Sequence, residues 1–343
     1  MNALLPRYRR REFVKIATAG VLASGLGRSG QAGIQGQYDS LQSHDYLGQV
    51  EVLAEVKDDE VFTEGPAVDG EGNLFFTNVP VSKILRWDPR HRQLSVFREN
   101  TSKTNGLCFD REGRLLACEG GGGRVTRTNL KTGHREVLAD EFEGLKLAAP
   151  NDLCVDAAGR IYFTSRSAVQ DPPGENKKSV YRIDPDGTLS QVLVWPTVHM
   201  PNGIVTSPDE QTLYIIEAHP GSNHHRDIRA FDIRPNGSLT NQRVLIDFYP
   251  GRSGDGMAID AEGNLYVAAG LHALRGTSET LDTRPGIHVI SPTGRLLAFR
   301  ETPEETITNC TFGGPDQKTL YVSCGTRLLS IPTVNPGKSI RGA

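Results

Sequence analysis

The chain has 343 residues and a formal net charge of −3, with 37% hydrophobic and 23% charged residues, 37 Gly and 20 Pro. That composition excludes collagen, long helical rods and disordered chains, and the mild acidity argues against a nucleic-acid backbone binder. No apolar run is long enough to span a membrane as a helix, and the five cysteines, none in a Cys-x-x-Cys pair, are too scattered for a disulfide framework.

The first segment stands apart. Residues 1–33 hold Arg7, Arg9, Arg10, Arg11, Lys15 and Arg28 against the single acid Glu12, a local charge of +5. Arg10-Arg11-Glu12-Phe13-Val14-Lys15 runs into a short apolar stretch, Ile16 to Leu26. A basic start followed by a short apolar region predicts a secretory signal, and the paired arginines resemble a bacterial twin-arginine signal. The expectation is therefore recognition by the twin-arginine export machinery and a periplasmic or secreted location. A basic, disordered tail is the alternative. Residues 34–48, with Gly, Ser and Gln, read as a linker to a domain over 49–343.

From residue 50 onward the chain is strand after strand, broken by Asp-x-x-Gly, Asp-Pro and Pro-Asn-Gly turns, with no sustained helical period. Six segments superimpose: GPAVDGEGNLFFTN at 65–78, and equivalents at 106–119, 152–165, 203–217, 256–269 and 310–324. Each reads as strand, tight turn, strand. The leading apolar residue of the second strand (Leu74, Leu115, Ile161, Leu213, Leu265, Leu320) recurs every 41 to 55 residues, a spacing that marks a repeat architecture. A third strand follows in all six units and a fourth in five. The sixth unit runs out of chain first, and the orphan strand Val50-Glu51-Val52-Leu53-Ala54 is free to complete it. The fold class is therefore all-β: a six-bladed β-propeller, its ring closed by the N-terminal strand.

The residue directly before each repeat is Glu64, Asn105, Asn151, Asn202, Asp255 or Asn309. Its distance to the second-strand anchor is 10 or 11 residues in every unit, the longer value going with the longer turns. All six therefore occupy one place, the start of the innermost strand at one mouth of the channel. Two carboxylates and four amides there match the all-oxygen coordination of one hard divalent cation, Ca²⁺ first, with Mg²⁺, Mn²⁺ or Zn²⁺ as alternatives. Asn and Asp are also good turn formers before Gly, which accounts for one or two positions and not for Glu64. On the same face, the long connections 166–178, 218–226 and 270–285 carry Asp171-Pro172-Pro173-Gly174, His219, His224, His225 and His272. These predict a substrate rim with His219 and His272 as contacts, beside Asn309 of the ring; a histidine-ligated metal is a lesser alternative.

Glu64-Gly65-Pro66-Ala67, Pro150-Asn151-Asp152-Leu153, Pro201-Asn202-Gly203-Ile204 and Gly254-Asp255-Gly256-Met257 resemble, in family order, the motifs of the senescence marker protein / gluconolactonase / luciferin-regenerating enzyme family. The resemblance implies a six-bladed propeller with one catalytic divalent cation, ligated by Glu64, Asn202 and Asp255. It implies that Asn151 ligates the metal or orients substrate, and that Asn105 lines the pocket. Departures fall at substrate contacts: Gly120 where many bacterial members place a histidine, Ala149 where animal members use an arginine, and Ser165 in place of an aspartate. The implied reaction is hydrolysis of a sugar or related small lactone. The cation would act as Lewis acid and Asp255 as general base and then acid. No Gly-x-Ser-x-Gly elbow is present for a serine nucleophile. The alternative is a non-enzymatic sugar- or protein-binding propeller whose cation is structural.

Overall fold

The computed structural model describes residues 34–166, 176–303 and 306–338. The basic segment with Arg10-Arg11 and the Asp171-Pro172-Pro173-Gly174 stretch lie outside the described residues.

Six four-stranded antiparallel sheets form the blades of a propeller. Their inner strands are Thr63–Val68, Thr104–Phe109, Pro150–Val155, Pro201–Thr206, Gly254–Ile259 and Ile307–Gly313, and blades 1 to 6 are numbered in that order. The last blade takes its outer strand from the N-terminal side, where Glu51–Glu55 pairs antiparallel with Arg327–Pro332. Pairing first with last leaves no open edge to the ring.

Alternation of side chains makes the core. In blade 5, Leu265, Val267 and Ala269 pack towards blade 4, whereas Tyr266 and Ala268 between them pack towards blade 6. The same two-residue period operates in every blade, giving six apolar layers, one per blade interface. Four of the five cysteines are buried in these strands and Cys108 is half-buried; all five are free thiols.

The segment expected as a linker is partly docked. Two short 3-10 turns, Ile34–Ser40 and Ser43–Asp45, carry Tyr38 into the blade 4/5 layer, and Leu47 just beyond them enters the blade 5/6 layer. The Tyr38 hydroxyl lies 2.8 Å from His288 Nε2, a partner 250 residues away that no local pattern announces.

Candidate active site

The structure brings the six repeat-leading residues together as one ring. Glu64, Asn105, Asn151, Asn202 and Asp255 are each second in their inner strand, and Asn309 is third. In all six blades the pairing of the first and second strands slips at or directly beside this residue, just before it in blade 6. A bulge there re-aims the side chain, which is how a strand start becomes a channel lining. All are buried except Asn105, which is half-buried. Close approach fixes the residue that follows: a Cβ on Gly256 would lie 2.0 Å from Asn309 Cγ, and one on Gly106 would lie 2.6 Å from Asp152 Oδ1.

Three carboxyl groups act on one another here. Burial, then the charges of Asp255 and Asp152, push the Glu64 carboxyl well above the usual carboxylate range, against a 3.2 Å hydrogen bond from its neighbour Gly65 N–H and the charge of Arg166. Asp152 is raised to about 7, mainly by burial, against hydrogen bonds from Leu153 N–H at 2.9 Å and Asn309 Nδ2 at 3.3 Å. Asp255 is held on both oxygens: Asn202 Nδ2 donates to Oδ1, and the buried Arg252 donates to Oδ2 at 2.6 Å. Arg252 is fixed in turn by the carbonyls of Gly270 and Ile307, both at 3.2 Å.

Asp152 and Arg252 were not singled out from the sequence. Asp152 had a signal: it begins its repeat where four of the other five begin with glycine and the sixth with cysteine. Arg252 precedes Asp255 by three residues in a loop with no repeat counterpart.

The donor set suits a hard cation. Among the described residues the Asn151 Oδ1 oxygen is buried without a hydrogen-bond partner, a costly state for an amide, and the three acids outnumber the guanidinium of Arg252 bonded to Asp255. Glu64, Asn151 and Asp255 thus offer oxygens where positive charge is wanted. Asn202 turns its nitrogen to Asp255 in this arrangement, and exchanging its amide ends would present the oxygen instead. Among the described residues no three His, Cys, Asp or Glu side chains converge as a metal site, so the amides are needed.

Beyond the ring the channel widens into a chamber of about 840 Å³. Asp152 and Asn309 line it together with apolar residues such as Leu107, Ile204, Met257 and Phe312. It extends to the turns at the opposite face, around Asp69 and Gln317.

The rim loops are fixed by buried groups. Arg226, 1% exposed, donates to the carbonyls of His219, Pro220, Gly221, Pro250 and Ser278 and so ties the blade 4 and blade 5 connections together. His219 is buried, its ring stacked on His224 at 3.5 Å and its Nδ1 accepting from Gly221 N–H at 3.0 Å. His272 lies with Nε2 3.0 Å from the Thr302 carbonyl. Among the described contacts neither ring bonds to a side chain of the acid ring; both lie in the rim loops.

Glu217 ends the second strand of blade 4, and its Oε2 accepts the N–H groups of His199 at 2.8 Å and Met200 at 3.0 Å. Its Oε1 has no partner, and burial pushes this carboxyl from 4.5 to about 8. The fold therefore favours the protonated form. Its contribution to stability is full below the ordinary pKa and is lost as pH rises through about 8. Wild type should melt lower at about pH 9 than at about pH 6, and Glu217→Gln should remove part of that slope. Calorimetry at the two pH values checks this, and an unchanged slope contradicts it.

Comparison with known proteins places this geometry in context. A family model described as "SMP-30/Gluconolactonase/LRE-like region" matches residues 62–326. A gluconolactonase of Zymomonas mobilis is 27% identical over 318 residues, covering 83% of this chain and 81% of that protein. Regucalcin of Oryctolagus cuniculus is 27% identical over 263 residues, covering 75% and 80%. The solved structure of a Xanthomonas campestris gluconolactonase superimposes with a TM-score of 0.68 at 29% identity, covering 83% of this chain and 89% of that one.

Proposed function

This chain belongs to the SMP-30/gluconolactonase/LRE-like family, and from that membership we propose that it hydrolyses a small lactone, of a sugar or a related compound, to the hydroxy acid. The observation that carries the reading is the ring itself: buried carboxyls and an orphaned amide oxygen facing one another at a channel mouth. The gluconolactonases among its relatives support the reaction class.

Glu64, Asn151 and Asp255, with Asn202 after exchange of its amide ends, would hold one divalent cation. The all-oxygen donors favour calcium, and regucalcin among the relatives supports that choice. When bound, the cation supplies Lewis-acid polarisation of the lactone carbonyl.

The chain's own residues do the rest. A carboxylate has about four lone-pair positions; on Asp255, Arg252 occupies one at Oδ2 and the bound cation would take another. The remainder take the proton from water as its oxygen adds to the carbonyl carbon. The same carboxyl returns that proton to the ring oxygen as the carbon–oxygen bond of the lactone breaks. Arg252 keeps the Asp255 carboxylate in one orientation throughout, since its fork is itself pinned by two carbonyls. Asn105 and Asn309 line the mouth as substrate contacts, and His219 and His272 shape its rim. The Arg10-Arg11 segment completes the proposal with export to the periplasm or beyond.

The test uses binding as well as turnover. Ca²⁺ should raise the melting temperature of the chelated wild-type protein and should not raise that of Glu64→Gln, which should also lose lactone hydrolysis. An equal calcium-induced rise in both proteins would remove Glu64 from the cation site.

A further inference from the structure

The blade 5 rim loop, 270–285, is closed at its base by its own two ends. A Cβ on Gly270, whose φ is +89°, would lie 2.1 Å from the Arg284 carbonyl oxygen, so the ends meet backbone to backbone. Leu271 N–H also donates to the Thr283 carbonyl at 3.4 Å. The first end holds the site: the Gly270 carbonyl accepts Arg252 Nη1 at 3.2 Å, and Arg252 Nη2 donates to Asp255 Oδ2 at 2.6 Å. The second end is held from outside the repeats. Arg284 N–H donates at 3.2 Å to the hydroxyl of Tyr38, on the short turn Ile34–Ser40 that precedes the propeller.

That hydroxyl has both of its roles defined. His288 Nδ1 lies 3.2 Å from the Gly286 carbonyl, which can only accept, so Nδ1 carries the proton and Nε2 accepts from Tyr38 O–H at 2.8 Å. Burial keeps both groups neutral, lowering His288 to about 4 and raising Tyr38 to about 12. His288 belongs to Gly286–Ile290, the strand into which the loop runs. The Tyr38 ring packs edge-on to Phe299 at 4.9 Å, and the Arg284 guanidinium lies 4.8 Å from its centre. One buried side chain of the N-terminal segment thus fixes the end of the loop and the strand after it together.

We propose that Tyr38 is a positioning residue for Asp255, acting through Arg284, Gly270 and Arg252. Its effect on turnover rests on the lactonase reading; the path itself does not. When the Arg284 end of the loop withdraws, Gly270 loses the backbone it packs against, and its carbonyl no longer holds the Arg252 fork in place. Asp255 then keeps its chemistry and loses its aim. A misaimed base slows the proton transfer more than it weakens substrate binding. Activity therefore depends on the docking of a segment that contributes no residue to the site.

Tyr38→Phe in the full chain keeps the ring and its packing and removes only the bridging oxygen. It should lower kcat for lactone hydrolysis about tenfold and leave KM within about twofold. Leu296→Ala loosens the same blade 4/5 layer; it should melt lower and keep its kcat, which separates positioning from stability. In an Arg252→Gln background, Tyr38→Phe should cost nothing further, because the path is already cut. Amide hydrogen exchange follows the same path without substrate: Tyr38→Phe should speed exchange at Arg284, at Leu271 and over residues 252–255. An unchanged kcat, a full further loss in the Arg252→Gln background, or faster exchange at Arg284 alone overturns the proposal. If the wild type cuts no lactone, the lactonase reading fails, and the exchange experiment still decides whether Tyr38 holds Asp255.

Discussion

Asp255→Asn should lower kcat for lactone hydrolysis by about 10²–10⁴-fold, the range that a positioned general base contributes, and leave a folded propeller. Asparagine keeps the shape and the hydrogen-bond acceptor facing Arg252 but cannot take a proton from water. Two electrostatic effects on stability oppose each other. Arg252 loses its buried counter-charge, which is destabilising, whereas Glu64 loses a carboxylate that repels it. The melting temperature should therefore fall by only a few degrees while activity collapses. Acid release followed at constant pH, with circular dichroism on the same samples, separates the two. A variant within tenfold of wild type would remove Asp255 as the base.

Arg226→Ala should be the most destabilising single change in the rim. The guanidinium is 1% exposed, donates to five carbonyls and to the Ser278 hydroxyl, and lies 5.1 Å from the centre of the Tyr249 ring. Truncation takes a donor from the buried His219 carbonyl and from four carbonyls that are half-buried or, at Ser278, exposed, of which those of Pro220 and Pro250 keep another donor. A buried group left unsatisfied costs about 1–3 kcal/mol, so with the void a loss of about 2–4 kcal/mol follows. Arg226→Lys should recover little, because one ammonium cannot reproduce a planar fork reaching five oxygens. Denaturant unfolding gives the magnitude, and hydrogen exchange should show early opening around residues 219–221 and 250. A loss below about 1 kcal/mol would mean that the rim is held by other contacts.

Much of this architecture is legible in the sequence because a propeller is periodic. The anchor residues from Leu74 to Leu320 mark six equivalent strands, and the shortfall in the last unit points to Glu51–Glu55 as its outer strand. The ring is legible for the same reason: equal spacing from Glu64, Asn105, Asn151, Asn202, Asp255 and Asn309 to their anchors becomes equal height in the channel.

What does not repeat is harder to read. Arg252 reaches Asp255 from a loop of its own, and only the fold turns its guanidinium inward. The docking of Tyr38 on His288 joins residues 250 apart, and Gly/Ser/Gln composition conceals it. His199 leaves no trace of its stack on His225 or its edge-on contact with His224, because it belongs to the connection into blade 4 while they belong to a later loop of that blade. Asp152 lies between these cases. Its departure from the usual glycine at that position is visible, but its closeness to Glu64 depends on the curvature of the ring.

The most direct measurement is acid release from a panel of small lactones, sugar lactones included, by the full chain after exhaustive chelation and again after Ca²⁺, Mg²⁺, Mn²⁺ or Zn²⁺ is restored. The ring of buried oxygens predicts hydrolysis of at least one lactone that is lost on chelation and regained with a divalent cation, calcium foremost. Full activity in the chelated protein, or tight cation binding with no lactone turned over, would contradict it.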